Sequence, residues 1–109
     1  MRVRVSGKQV QIGETLPAGV KARLEEAVAK HFDGGAEAKV VFSHDGPFFR
    51  ADCLLHLDSK TVMTAEGDGP DAHRAFDSAF DKIETQLRRY KRKLKNHHPK
   101  ARARARAEA

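Results

Sequence analysis

The run from Asp71 to His98, DAHRAFDSAFDKIETQLRRYKRKLKNHH, constrains this chain more than any other stretch. Its apolar residues fall at Ala72, Ala75, Phe76, Ala79, Phe80, Ile83, Leu87, Tyr90 and Leu94, the i, i+3, i+4, i+7 recurrence of a single helical stripe. Pro70 suits the start of such a helix and Pro99 cannot continue it, so the spacing predicts one element roughly 40 Å long. An apolar stripe of that length needs a surface to cover it. The same run polarises the charge: from Lys82 to the C-terminus eleven basic residues face two acidic ones, a net of +9, whereas residues 1–81 hold ten basic and thirteen acidic residues, a net of −3.

The rest of the chain supplies the covering surface. Residues 2–6, RVRVS, alternate as a half-buried strand with Val3 and Val5 on one face and Arg2 and Arg4 on the other. A helix is expected to begin near Gly13 to Thr15, either of which is an acceptable N-cap, with Pro17 in its first turn. Leu16, Val20, Leu24, Val28 and Phe32 recur every four residues along it, and Asp33-Gly34-Gly35 ends it. Three strands are predicted next: residues 38–43, residues 49–57 after the turn cluster His44-Asp45-Gly46-Pro47, and residues 61–67 after Asp58-Ser59-Lys60. In the second of these, Phe49, Ala51, Cys53, Leu55 and Leu57 share a face. Gly67-Asp68-Gly69-Pro70 reads as the loop into the long helix. The order β-α-β-β-β-α predicts a two-layer α+β domain over residues 1–98, a four-stranded sheet with both helices on one face. After Pro99 the remaining KARARARAEA alternates Ala with Arg and carries no apolar side chain larger than Ala, so residues 99–109 are expected to form a disordered basic tail.

A length of 109 residues and an apolar content of 39% allow one ordinary core and no second domain. The single Cys53 excludes an internal disulfide framework and fits a reducing compartment, so a cytoplasmic location is expected. The N-terminus has no signal-peptide pattern, and no apolar run approaches the ~18 residues of a membrane span. A net charge of +6 and a pI near 9.8 favour a polyanionic partner.

The helical wheel divides the basic residues. With Ile83 at 0°, Leu87, Tyr90 and Leu94 fall at about 40°, 340° and 20°, the buried stripe. Lys82, Gln86, Arg89 and Lys93 fall at about 260°, 300°, 240° and 280°, one contiguous flank about 10 to 15 Å long that can track successive phosphates. Arg88 and Arg92, at about 140° and 180°, share the solvent-facing back with Asp77 and Asp81, which read as their charge partners and those of Lys82. Lys91 and Lys95 complete the candidate RNA-binding set on this helix. Lys21, Arg23, Lys30, Arg2 and Arg4 are secondary candidates. Cations aimed at phosphates give affinity and position with little sequence reading, as recognition of structured RNA by shape requires.

Catalysis finds no support in the pattern. His97-His98 diverge by about 100° on a helix and lack a completing ligand set, so no metal is expected. Asp77 and Asp81 have no neighbouring base or cleft signature, Cys53 sits mid-strand on the apolar face, and GDG before a proline is not a phosphate cradle. No cofactor and no small-molecule substrate are implied.

The order of elements, the loop AEG (residues 65–67) and the helix pattern Phe76-Asp77, Asp81-Lys82-Ile83, Gln86-Leu87, Lys91, Lys93-Leu94-Lys95 together resemble the ribosome hibernation-promoting factors, also called ribosome-associated inhibitors of translation. The likeness covers about residues 1–97, including a strand, the connection SGKQVQI and a helix that closes on Phe32-Asp33. It implies a fold similar to a double-stranded-RNA-binding domain, and binding to the small ribosomal subunit and its ribosomal RNA in the channel used by messenger and transfer RNA. That binding would shut off translation in starved or stationary cells. It further implies a monomer if the chain is a short form, and ribosome pairing through a dimerisation domain if it belongs to a long one. Two departures stand out: the connection GDGPD is about two residues longer than the family's, and His73 stands where the family usually has Tyr. A general structured-RNA-binding module or RNA chaperone, using the same basic ridge, is the alternative.

Overall fold

The computed structural model describes residues 1–96, with side chains through Arg92. The chain runs β1 (Arg2–Gly7), α1 (Thr15–His31), β2 (Ala36–Asp45), β3 (Phe48–Leu57), β4 (Val62–Gly69) and α2 (Ala72–Asn96). The expected tail, the His97-His98 pair and the side chains of Lys93, Leu94 and Lys95 lie outside the described residues.

One four-stranded sheet has the order β1-β2-β3-β4. β1 lies parallel to β2, with Val3 opposite Ala38 and Val5 opposite Val40. The other pairs are antiparallel, Val40 meeting Cys53 and Cys53 meeting Ala65. The β2–β3 hairpin turns on Gly46-Pro47, where Gly46 takes φ +62°, a conformation glycine adopts without a Cβ clash. Alternation along β3 is as the sequence predicts, with Ala51, Cys53, Leu55 and Leu57 buried. They pack with Val40, Phe42 and Met63 under the helices, against Val20, Leu24 and Val28 of α1 and Phe76, Phe80, Ile83 and Leu87 of α2. Both helices occupy that face, and the opposite face is open, with Leu54 and Val62 exposed.

Three details differ from the sequence reading. α1 is capped by Glu14, whose side chain makes no capping hydrogen bond, rather than by Gly13 or Thr15. Phe32 does not continue the α1 stripe: it is the C-cap, in extended conformation, and its ring turns onto Tyr90 of α2, 5.9 Å between centroids. Gly67-Asp68-Gly69 is no loop but the last part of β4, paired with Phe49 to Ala51. The glycines are there because α2 lies directly on the strand. A Cβ on Gly67 would stand 2.4 Å from the Ala79 nitrogen, and one on Gly69 2.7 Å from that of Ala75.

Candidate nucleic-acid interface

Contacts at its start and along two flanks anchor the basic helix. At its start Asp71 accepts the Arg74 backbone N–H on Oδ1 at 2.8 Å, satisfying one of the free amides of the first turn. Along one flank the Lys82 Nζ donates to the Glu66 carbonyl at 2.6 Å, and the Gln86 Nε2 donates to the Thr64 carbonyl at 2.8 Å. Both acceptors belong to β4, the edge strand, whose outward carbonyls have no strand partner. Along the other flank Arg23 of α1 forms an ion pair with Asp77 and stands over the Phe80 ring, 4.4 Å from its centroid. Farther on, the Tyr90 hydroxyl lies 2.8 Å from the Ser59 Oγ, and the Lys91 Nζ reaches the Lys30 carbonyl at the end of α1 at 3.4 Å.

This geometry sorts the expected residues. Lys82, Gln86 and Arg89 line one shallow groove of about 410 Å³ with Asp81 and Thr85, so these three members of the flank share one surface. Within it Lys82 and Gln86 each spend one donor on β4. An ammonium keeps further N–H groups after one hydrogen bond, so Lys82 still presents charge to the groove. Arg89 and Arg92 are exposed. Arg88 pairs with Glu84 one turn back at 3.8 Å and donates to the Thr85 hydroxyl at 3.4 Å. Lys91 lies on the opposite flank from Lys82, toward α1.

One charge assignment from the sequence is corrected. Asp77 is the partner of Arg23, not of Lys82 or the arginines that follow. Arg23, one of the secondary candidates, is engaged with Asp77 and the Phe76 and Phe80 rings.

One residue of consequence escaped the sequence reading. His31, at the end of α1, is only 8% exposed, and its Nε2 has no hydrogen-bond partner among the described residues. Its signal was the stripe itself, since it follows Leu24 by seven residues and Val28 by three. Burial lowers its pKa from the ordinary 6.5, helped by Lys30, Lys91 and Arg88 and opposed by Glu84. Cys53 is buried in the core, and burial alone pushes its thiol up to about 12, which makes it inert near neutral pH. Among the described residues no group of three His, Cys, Asp or Glu could hold a metal ion, and no helix is long and apolar enough to cross a membrane.

A helix rich in Lys and Arg lies along β4 of a small α+β sheet, with an outer groove built from Asp81, Lys82, Thr85, Gln86 and Arg89, in a two-layer domain. A family model described as sigma 54 modulation protein / S30EA ribosomal protein matches residues 3–95, and the chain belongs to that family, the ribosome hibernation-promoting factors. The ribosome hibernation promotion factor of Rhizobium meliloti (strain 1021) is 48% identical over 98 residues, 90% of this chain and 52% of that protein. The factor of the same name from Bradyrhizobium diazoefficiens is 45% identical over 88% of this chain and 47% of that protein, so the chain spans about half the length of these two relatives. The Escherichia coli (strain K12) ribosome hibernation promoting factor is 30% identical over 97 residues and is covered over 100% of its length. The crystal structure of the Thermus thermophilus Protein Y N-terminal domain matches with a TM-score of 0.74 at 28% identity, covering 83% of this chain and 99% of that one.

Proposed function

We propose that this domain is a non-catalytic ribosome-binding factor that occupies the messenger and transfer RNA channel of the small subunit and inhibits translation during stress or stationary phase. The observation that carries the reading is the placement of Lys82, Gln86 and Arg89 along one groove of a helix tied to β4 by two hydrogen bonds and to α1 by an ion pair. A row of cations along one helix face binds phosphates, and it recognises folded RNA by the position of its backbone. Arg92, Lys93, Lys95 and the basic residues of 99–109 add positive charge farther along the sequence. Membership in the hibernation-factor family and the names of the rhizobial and enterobacterial relatives support the ribosome as the partner.

The test is sedimentation of the full chain with purified small subunits through a sucrose gradient, beside a fluorescence titration against bulk duplex RNA at the same salt. The reading requires co-sedimentation and an affinity for small subunits well above that for the duplex. Equal affinities would make the protein a general RNA-binding module or chaperone.

A further inference from the structure

The sheet face turned away from the helices holds a concavity of about 550 Å³ beside the groove of α2. Two adjacent cross-strand rows build it. Lys39, Leu54 and Thr64 stand opposite one another on β2, β3 and β4, and Val41, Asp52 and Glu66 do so in the next row. Val41 and the exposed Leu54 supply an aliphatic floor. Lys82 and Gln86 reach the β4 carbonyls from α2 and line the concavity on that side. Both also line the α2 groove, so the two concavities meet at these side chains. Asp52 and Glu66 face each other directly across β3 and β4, a like-charged pair that costs stability by itself. Arg50 holds both: its Nε lies 3.1 Å from Asp52 Oδ2, and its Nη2 lies 3.0 Å from Asp52 Oδ1 and also donates to Glu66 Oε2. One guanidinium between two carboxylates leaves a net negative charge there, and the two acidic side chains stay 45% and 62% exposed. An ionised carboxylate accepts at about four lone-pair sites, so both keep acceptors to spare.

We propose that this concavity takes one unpaired base of the RNA bound along α2 and selects guanine through Asp52 and Glu66, an inference that rests on the RNA-binding reading above. The carboxylates repel a phosphate, whereas a base edge bearing N–H groups donates to them in charge-assisted hydrogen bonds. Unpaired bases of folded RNA are the ones whose Watson–Crick edges can be read in this way. Guanine presents two adjacent donors there, N1–H and the N2 amino group, which match the two oxygens of a carboxylate. Adenine and cytosine present one amino donor beside a ring acceptor, and uracil presents one N3–H between two carbonyls that a carboxylate repels. Leu54 and Val41 cover the face of the base, which removes apolar surface from water. Lys82, common to both concavities, stands where the backbone of that nucleotide enters the groove. A basic protein segment would also satisfy the carboxylates, but continuity with the groove through Lys82 and Gln86 favours the nucleotide.

The test compares two RNA hairpins that differ only in one bulged base, G or U, by fluorescence anisotropy with the full chain at one salt concentration. The wild type is expected to bind the G hairpin about tenfold more tightly, the discrimination of one bidentate base contact. Glu66→Gln and Asp52→Asn should bring that ratio toward one. Loss of a negative charge alone would tighten both hairpins equally and leave the ratio unchanged. In parallel, NMR of ¹³C-labelled methyl groups should show the Leu54 and Val41 signals moved by the ring current of the bound base in the G complex. The wild-type comparison and the NMR need no variant, so a poorly folded substitution leaves the test standing. Equal affinity of the wild type for the two hairpins, a ratio that survives in both variants, or methyl shifts that skip Leu54 and Val41 overturns the base site and leaves the groove reading intact. So does a fluorescent arginine-rich peptide whose binding is lost in Glu66→Gln while the hairpins are not distinguished, which would assign the carboxylates to a protein partner. Failure to bind either hairpin or small subunits overturns both readings.

Discussion

The Lys82 ammonium donates to the Glu66 carbonyl at 2.6 Å, so the first cation of the outer row of α2 is also a clip that holds the helix to the edge strand. Gln86, one turn on, does the same to Thr64 and carries no charge. This pair separates the structural use of the flank from its electrostatic use. Gln86→Ala should cost about 0.5 to 1.5 kcal/mol of stability and leave the salt dependence of RNA binding unchanged. Lys82→Gln should cost a comparable amount of stability and also flatten the slope of log K against log salt by a little under one. Denaturant titrations and salt titrations of both variants decide the matter, and identical salt slopes for the two would show that the Lys82 charge faces no phosphate.

Gly67 gives a second, purely steric prediction. An alanine there must push its Cβ into the α2 backbone, 2.4 Å from the Ala79 nitrogen and 2.6 Å from the Ala75 carbonyl, and neither can step aside as a flexible side chain would. Gly67→Ala should destabilise the domain by about 3 kcal/mol or more. An unchanged melting temperature would mean that α2 does not lie on β4 at this point.

The third concerns the core seam. Phe80 is 7% exposed, packs at 5.6 Å centroid distance on Phe76 and lies under Arg23. Phe80→Ala should cost about 3 to 5 kcal/mol in a chemical denaturation. A variant as stable as the wild type would place the ring outside the seam.

Acid should also weaken the fold through His31. Its folded pKa lies below the unfolded 6.5, chiefly because burial disfavours the charged ring, so between those two values the unfolded chain binds more protons than the native one. Stability from this residue is therefore complete above about pH 6.5 and is lost as pH falls through the folded value. Denaturation of wild type and His31→Phe across pH 7.5 to 5 should show a steeper acid loss in the wild type. Parallel curves would contradict it.

The parts of this architecture that were legible from sequence are those written in local periodicity. The 3.6-residue recurrence through Phe76, Phe80, Ile83 and Leu87 and the alternation from Ala51 to Leu57 fix which side of each element is buried, whatever lies opposite. What was not legible depends on what lies opposite. Gly67 and Gly69 read as a turn because paired glycines beside a proline are usually one; the helix that makes them necessary approaches from elsewhere in the fold. The wheel put Lys82 and Gln86 together on a flank but could not say that the flank overhangs a strand edge with free carbonyls. Asp77 seemed paired along its own helix, whereas Arg23, 54 residues earlier, reaches it across the interhelical seam.

The cations of α2 are expected to act by contact from an oriented helix and not as a diffuse field. At physiological salt the screening length of about 8 Å is comparable with the diameter of a helix, so a diffuse field would make every basic residue count alike. The most direct measurement is a pair of salt titrations of binding to purified small subunits, one with Lys82, Arg89 and Lys93 changed to Gln and one with Arg88 and Arg92 changed to Gln. The first set should weaken binding steeply and lower the salt slope by about two to three, with a much smaller loss per charge in the second, where Arg88 already answers to Glu84. Equal loss per charge in the two sets would contradict it.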